Sequence, residues 1–188
     1  MAEDAAEQEG TEETMKTSEQ WWQEIKNDAA RFNEWLIKQH RGEASAASRL
    51  RGFSAAYARS ANERTILETI AAQEEMHASW VKQLLDSRGI VSDVTDAEAR
   101  YWRCMLTKVD SFENGCAVGA HAEAMRLERI KAIAADASAP SDVRETFARI
   151  LNDELFHERA LRKLAGEQAM TNVKPSAEHG RMLLGLEP

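Results

Sequence analysis

The stretch QEEMHASW, at residues 73–80, returns eighty positions later in a related form, DELFHERA, at residues 153–160. Both stretches contain a glutamate followed three positions later by a histidine, namely Glu74 with His77 and Glu154 with His157. Residues three apart share one face of an α-helix, so each pair can present a carboxylate and an imidazole to the same point. One such pair is a weak signal, because short motifs also arise by chance.

A third acidic position makes the repeat specific. Glu43 lies 31 residues before Glu74, and Glu123 lies 31 residues before Glu154. Apolar positions follow the same shift of 80 residues, for example Ile70 with Ile150. The two halves therefore resemble one helical hairpin used twice. Two hairpins related by a pseudo-twofold axis would bring six side chains to the middle of one bundle: Glu43, Glu74, His77, Glu123, Glu154 and His157.

The rest of the chain predicts an all-α fold built around these hairpins. Apolar residues recur at intervals of three and four, the period of amphipathic helices. Capping residues suggest a short leading helix from Thr17 or Ser18 that breaks near Asn27, and a later long helix that begins near Ser60 or Asn62. Four long helices then form a bundle, and the connection of roughly 20 residues between the second and third can cross it. We expect a short helix on that crossover, beginning near Thr95.

Composition divides the chain into three parts. Residues 1–17 are acidic and poor in apolar side chains, so we expect a disordered leader. Residues 18–166 form the predicted bundle, and Gly166 is a plausible helix end. Residues 167–188 are expected to be a loosely held tail.

Charge and cysteine content exclude several classes of function. The net charge is −8, and most of it lies in the leader, so the body has no basic excess for binding nucleic acid. No apolar run is long enough for a membrane span, and no basic, apolar signal peptide begins the chain. The two cysteines form no CxxC motif. This pattern is typical of a protein of the reducing cytoplasm.

The six-residue set predicts a dinuclear metal centre. Four carboxylates would repel one another in a bundle core, and two divalent ions neutralise them. Oxygen-rich ligation with one imidazole per ion suits two iron ions, with manganese or a mixed Mn/Fe pair as alternatives. Asp153 and Gln73 each precede a motif glutamate, and we expect Asp153 to hold His77 and Gln73 to hold His157 across the pseudo-twofold. Arg126, one turn after Glu123, could bind an anionic substrate or pair with a ligand carboxylate.

On these residues the chain resembles the ferritin-like di-iron carboxylate proteins, which include rubrerythrins, bacterioferritins and di-iron hydroxylases. The resemblance covers about residues 30–165 and implies a ferritin-like four-helix bundle. In it Glu74 and Glu154 would bridge the two ions, and Glu43 and Glu123 would be terminal ligands. The chain departs from rubrerythrins in having Arg126 where they carry a further glutamate, and in lacking their paired CxxC tail.

The resemblance implies a non-haem di-iron oxidoreductase that activates O2 or peroxide. Its expected partners are a small-molecule substrate and an electron-donor protein, and a homodimer is allowed. The residues one and two turns from the ligands are small and apolar: Ala46, Ala47, Leu50, Ala120, Leu127 and Ile130. Such a lining favours oxidation of a small organic substrate. The alternatives are a ferroxidase or iron-storage protein and a rubrerythrin-like peroxidase.

Overall fold

The computed structural model describes residues 15–92, 102 and 105–185, which form helices and no extended strand. Five α-helices are present in this part of the chain: α1 (Ser18–Lys26), α2 (Ala29–Tyr57), α3 (Ala61–Asp86), α4 (Phe112–Ala135) and α5 (Ser141–Met182). Helices α2 and α3 pack along each other, and so do α4 and α5. The two hairpins expected from the repeat are therefore present, and the prediction of an all-α bundle is confirmed.

Local hydrogen bonds explain where the helices begin. The side chains of Thr17 and Ser60 each accept a hydrogen bond from the backbone three residues on, and each takes part in a capping box. Asp28 caps α2, which places the break between α1 and α2 where the sequence predicted it. Gly89, in the left-handed region at φ 65°, follows the end of α3.

Two apolar clusters fill the bundle, and the predicted ligands lie between them. On α3, for example, Ile70 belongs to one cluster and Val81 to the other, with Glu74 and His77 in between. Helices α4 and α5 show the same order of apolar, polar and apolar positions. The site is therefore a buried polar layer that packed side chains close off along the bundle in both directions.

Helix α1 closes one end of the bundle with an aromatic cluster. Trp22 is 1% exposed and lies against Trp35 and Phe32, with ring centroids 5.1 and 6.3 Å away. Its indole Nε1 donates a 2.9 Å hydrogen bond to Asp136 in the loop between α4 and α5. The short leading helix thus contacts both hairpins.

The expectation of a loosely held tail is wrong for residues 167–182. Gly166, at φ 72° and ψ 164°, is not helical, so the first stretch of α5 ends there as predicted, and a second helical stretch follows the kink and runs to Met182. After the bend Met170, Val173 and Ala177 recur at helical spacing and are buried against α4. An apolar stripe of this kind gains free energy by docking on the bundle.

Two other predictions fall largely on residues that the structure does not describe. The leader is described only from residue 15, where the backbone N–H of Lys16 donates to the carbonyl of Gly185. The start of the crossover helix near Thr95 lies outside the described residues, while buried Met105 and a short 3-10 turn at Leu106–Lys108 lie within them. None of the described helices has the length and apolar character needed to cross a membrane.

Candidate metal centre

The four long helices bring the six predicted side chains together at mid-bundle. Helices α2 and α4 contribute one glutamate each, Glu43 and Glu123. Helices α3 and α5 contribute a glutamate and a histidine each: Glu74 with His77, and Glu154 with His157. Five of the six are 0% exposed, and Glu123 alone among the six keeps some solvent contact. The two hairpins of the sequence repeat therefore each contribute two glutamates and one histidine to the same buried layer.

The six side chains form two overlapping groups, each with ligand atoms within 4.8 Å of one another. The first group contains Glu43 and His77, the second contains Glu123 and His157, and both contain Glu74 and Glu154. Each group offers three carboxylates and one imidazole. The two shared glutamates therefore lie where bridging ligands would lie if each group held one ion.

The inward-facing atoms of this layer lack hydrogen-bond partners. They include both carboxylate oxygens of Glu74 and Glu154 and the Nδ1 atoms of His77 and His157. The two Nδ1 atoms lie 3.1–3.8 Å from glutamate oxygens across the layer. Buried polar atoms left without partners cost free energy, and a cation at their centre removes that cost. The donor set thus fits two hard or borderline divalent ions.

The outer nitrogen of each histidine has a partner across the pseudo-twofold. His77 Nε2 lies 3.1 Å from Asp153 Oδ2, and His157 Nε2 lies 3.1 Å from Gln73 Oε1. The amide of Gln73 donates a 2.8 Å hydrogen bond to the other oxygen of Asp153. Since the amide oxygen only accepts, His157 must donate through Nε2, which leaves Nδ1 free for a metal ion. These are the pairs that the sequence predicted.

The pKa values of both imidazoles and of Glu123 are raised in this layer. Burial opposes a charged imidazole, but the carboxylates of Glu154 and Glu74 outweigh it and raise the pKa of His77 to about 10. The same balance raises the pKa of His157. Burial and the charges of Glu154 and Glu74 raise the pKa of Glu123. A metal ion must therefore displace protons from this cluster when it binds.

Arg126 extends into the same layer from α4. Its guanidinium is hydrogen-bonded to Glu43, and it lies 3.3 Å from Glu154 Oε1 and 3.8 Å from Glu74 Oε2. Although burial alone would raise the pKa of Glu154, Arg126 and the two imidazoles hold it well below its usual range. The charge of Arg126 is thus neutralised by ligand carboxylates, which favours the second of the two roles considered for it over contact with an anionic substrate.

A cavity of about 220 Å³ lies beside the second ligand group, and Glu123 forms part of its wall. Of the six neighbours predicted to line a substrate space, Ala46 and Leu50 line this cavity. The other four are packed in the core: Ala47, Ala120, Leu127 and Ile130. The crossover residues of the wall, such as Trp102, were not predicted from the sequence. One feature of the sequence could have indicated the cavity: Gly115 and Gly119 lie four residues apart on the helix of Glu123, so they leave one face of that helix without side chains at these positions.

Two further histidines near the ligands in sequence have other partners. His40 Nδ1 lies 3.0 Å from the hydroxyl of Ser92, and burial lowers its pKa. His121 Nε2 lies 3.1 Å from the carbonyl of Met170, in the helix that follows the bend at Gly166. Both imidazoles therefore take part in hydrogen bonds that hold the fold, away from the ligand groups.

Comparison with known proteins identifies one family. Residues 34–165 match the protein-family model described as Rubrerythrin. Searches of curated proteins and of solved structures found no match. The matched range contains all six side chains of the two ligand groups, while α1 and the part of α5 beyond Gly166 lie outside it.

Proposed function

Because this chain belongs to the rubrerythrin family, we propose that it is a non-haem di-iron oxidoreductase that uses O2 or peroxide to oxidise a small organic substrate. The observation that carries this proposal is the pair of overlapping ligand groups that share Glu74 and Glu154. Two separate mononuclear sites would not need shared carboxylates. A shared pair of carboxylates would hold two ions close enough to act on one oxidant molecule.

Each residue of the layer has a defined part in this proposal. Glu43 and His77 would hold one ion, Glu123 and His157 the other, and Glu74 and Glu154 would contact both. Bound ferrous ions supply the electrons for reducing O2 or peroxide. Asp153 and Gln73 keep both imidazoles in the tautomer that presents Nδ1, and the apolar clusters above and below keep water out.

The position of the cavity favours an organic substrate over iron as the molecule oxidised. Its wall is apolar apart from Arg49 and Glu123, and Glu123 belongs to the ligand groups. A ferroxidase centre that delivers iron to a mineral needs polar groups along its path, whereas this space can hold an apolar guest beside the metals. Iron storage therefore remains the alternative with less structural support.

The family assignment itself favours a second candidate, a rubrerythrin-like peroxidase. In that case peroxide would be reduced with electrons from a donor protein, and no organic molecule would be consumed. The two candidates differ in their products. Peroxide removal that depends on added reductant, without an oxidised organic product, would support the second candidate.

Metal stoichiometry tests the shared-ligand arrangement. The native protein should bind two ferrous ions per chain under anaerobic conditions. Glu74→Gln removes a carboxylate from both groups and should lower the content below one ion, whereas Glu43→Gln weakens only one group and should leave about one. Glu75→Gln, on the neighbouring exposed residue that pairs with Arg51, is the matched control and should bind two. Equal losses in Glu74→Gln and Glu43→Gln would contradict the bridging assignment.

The fate of added iron tests the reaction class. Ferrous-loaded protein is mixed with O2 or peroxide, and further ferrous ions are supplied. A substrate oxidase should consume oxidant without building a mineral, and it should elute from a sizing column as a small species. Continued oxidation of iron into a soluble mineral inside a large particle would show a storage protein instead.

A further inference from the structure

The cavity beside Glu123 is formed by three parts of the chain. Helix α2 provides one wall, α4 and α5 provide another, and the crossover residues near the 3-10 turn close the third side. Its volume is about 220 Å³. The wall residues come from distant positions in the sequence, so the cavity exists only in the folded protein. They include Ala46, Leu50, Phe53, Trp102, Val118 and Leu161.

The chemistry of the wall limits what can occupy this space. Apart from Arg49 and Glu123, the groups that line it are apolar. Glu123 lies at the inner side, where it belongs to the second ligand group. A charged guest would lose its hydration without hydrogen-bond partners along most of the wall, whereas an uncharged apolar guest loses nothing comparable.

Two glycines on α4 shape the wall. A Cβ atom at Gly115 would lie 2.2 Å from the ring of Phe53, and one at Gly119 would lie 3.0 Å from a methyl group of Leu161. The absent side chains let Phe53 and Leu161 approach the backbone of α4. Phe53 is further held by stacking on Phe112, with ring centroids 5.7 Å apart. This part of the wall is therefore built from closely packed groups.

We propose that this cavity binds a compact, uncharged, apolar organic molecule of the size of a single aromatic ring or a short hydrocarbon chain. An apolar cavity of about 150 Å³ is already large enough to bind benzene. The occupant would lie beside Glu123, next to the ligand groups. The identification of this molecule as the substrate rests on the proposed function, but its binding does not.

Fluorine NMR provides a direct test on the full chain. Fluorobenzene is the probe, and 4-fluorobenzoate is its charged counterpart. The native protein should bind fluorobenzene with a Kd in the submillimolar to millimolar range, and 4-fluorobenzoate at least tenfold more weakly. No detectable fluorobenzene binding, or equal or tighter binding of the benzoate, would overturn the proposal.

Blocking variants show whether binding occurs in this cavity. Ala46→Phe fills the space from α2 and should weaken fluorobenzene binding at least tenfold. Ala55→Phe adds the same ring at an exposed position of the same helix and should bind like the native protein. Leu50→Trp is a second blocking variant in case Ala46→Phe does not fold, as judged by its circular dichroism. Equal binding by the native protein and a folded blocking variant would place the probe elsewhere and overturn the proposal.

Metal-loaded protein separates this proposal from the proposed function. Bound fluorobenzene should relax faster in the Mn²⁺-loaded protein than in the Zn²⁺-loaded protein, because the paramagnetic ion would lie beside the cavity. If Ala46→Phe weakens fluorobenzene binding, the cavity proposal is supported. If the ferrous protein and O2 then give no oxidised product, the cavity proposal stands and organic oxidation is contradicted. Metal binding and O2 consumption without fluorobenzene binding contradict the cavity proposal alone.

Discussion

At the scale of single residues, Arg126 is the side chain that most changes the character of the site. Its guanidinium contacts Glu43 and lies within 3.8 Å of Glu74 and Glu154, so a positive charge of the protein itself lies among the carboxylates. A metal ion held by Glu43 and His77 must share these carboxylates with Arg126 or displace it. The two ligand groups are therefore unequal, although the sequence repeat makes them look equivalent.

Replacing Arg126 should tighten metal binding at the first ligand group. Arg126→Gln removes a competing cation, and we expect the affinity for the weaker of two Mn²⁺ ions to rise about tenfold, or about 1.4 kcal/mol. Without metal the same variant should unfold at a lower temperature, because Glu43 loses its partner in a buried setting. Calorimetric titration measures the first effect and thermal unfolding measures the second.

Arg162→Gln is a suitable control for that experiment. Arg162 lies on the exposed side of α5 and pairs with Glu158, away from the ligand groups. Its replacement should leave both metal affinities unchanged. Weaker metal binding in Arg126→Gln would mean that Arg126 supports the loaded site instead of competing with the ion.

At the scale of helices, one carboxylate joins α1 to the second hairpin. Asp136 Oδ2 accepts a 2.6 Å hydrogen bond from Lys26 Nζ and a 2.9 Å hydrogen bond from the indole of Trp22. The side chains of Lys26 and Asp136 are 10% and 14% exposed, so water screens this ion pair only in part. These contacts hold the short leading helix over the end of the bundle.

The stability that Asp136 contributes should depend on pH. Lys26, Ser138 and Trp22 hold the pKa of Asp136 below its usual value, so the carboxylate stabilises the folded state above about pH 4, the pKa of an unfolded aspartate, and this contribution is lost as the pH falls. Asp136→Asn should cost about 1 kcal/mol at pH 7, and the cost should decrease progressively as the pH falls below about 4. Urea unfolding at several pH values measures the difference.

The exposed residue Asp86 offers a matched comparison. Its carboxylate pairs with Lys82 one turn earlier on α3, and its side chain is 59% exposed. Asp86→Asn should change the free energy of unfolding little at any pH. If Asp136→Asn has an equally small effect at pH 7, the contact between α1 and the second hairpin does not contribute to stability as inferred.

At the scale of the whole molecule, the helix beyond Gly166 completes one of the two apolar clusters. Met170, Val173 and Ala177 are at most 7% exposed and pack in the same cluster as Met105 and Cys116. Arg181 adds a paired contact with both oxygens of Glu128 on α4, at 3.1 and 2.9 Å. This segment lies outside the range that matches the family, yet it contacts α4 at both His121 and Glu128.

Removing the chain after Gly166 should destabilise the whole protein. Full burial of a methionine or valine side chain is worth about 1.5–3 kcal/mol, so losing Met170 and Val173 should lower the free energy of unfolding by roughly 3–6 kcal/mol. Urea unfolding measures this loss. A shorter deletion that removes only residues 183–188 should cost much less. Similar stability of the two truncated proteins would show that the docked helix is not part of the core.

The sequence determined the helices and the residues of the candidate centre because both depend on local spacing. A helix has a fixed period, so Glu74 and His77 had to share a face, and the 31-residue interval placed Glu43 at the same height of the hairpin. Capping residues such as Thr17 and Ser60 act on backbone groups three positions away, which can also be read from the chain. The match to the family model covers this same repeat.

Only the tertiary structure decided which distant side chains meet beyond this repeat. Arg126 reaches Glu43 because α4 lies beside α2, and the cavity wall combines Ala46 with Trp102 and Leu161 from three separate parts of the chain. Gly166 shows the same limit: its positive φ ends one helical stretch, as the glycine predicted, but the glycine alone does not determine what the following residues form. Packing against α4 decided this, since burial of Met170, Val173 and Ala177 stabilises a docked second helical stretch over a loose tail.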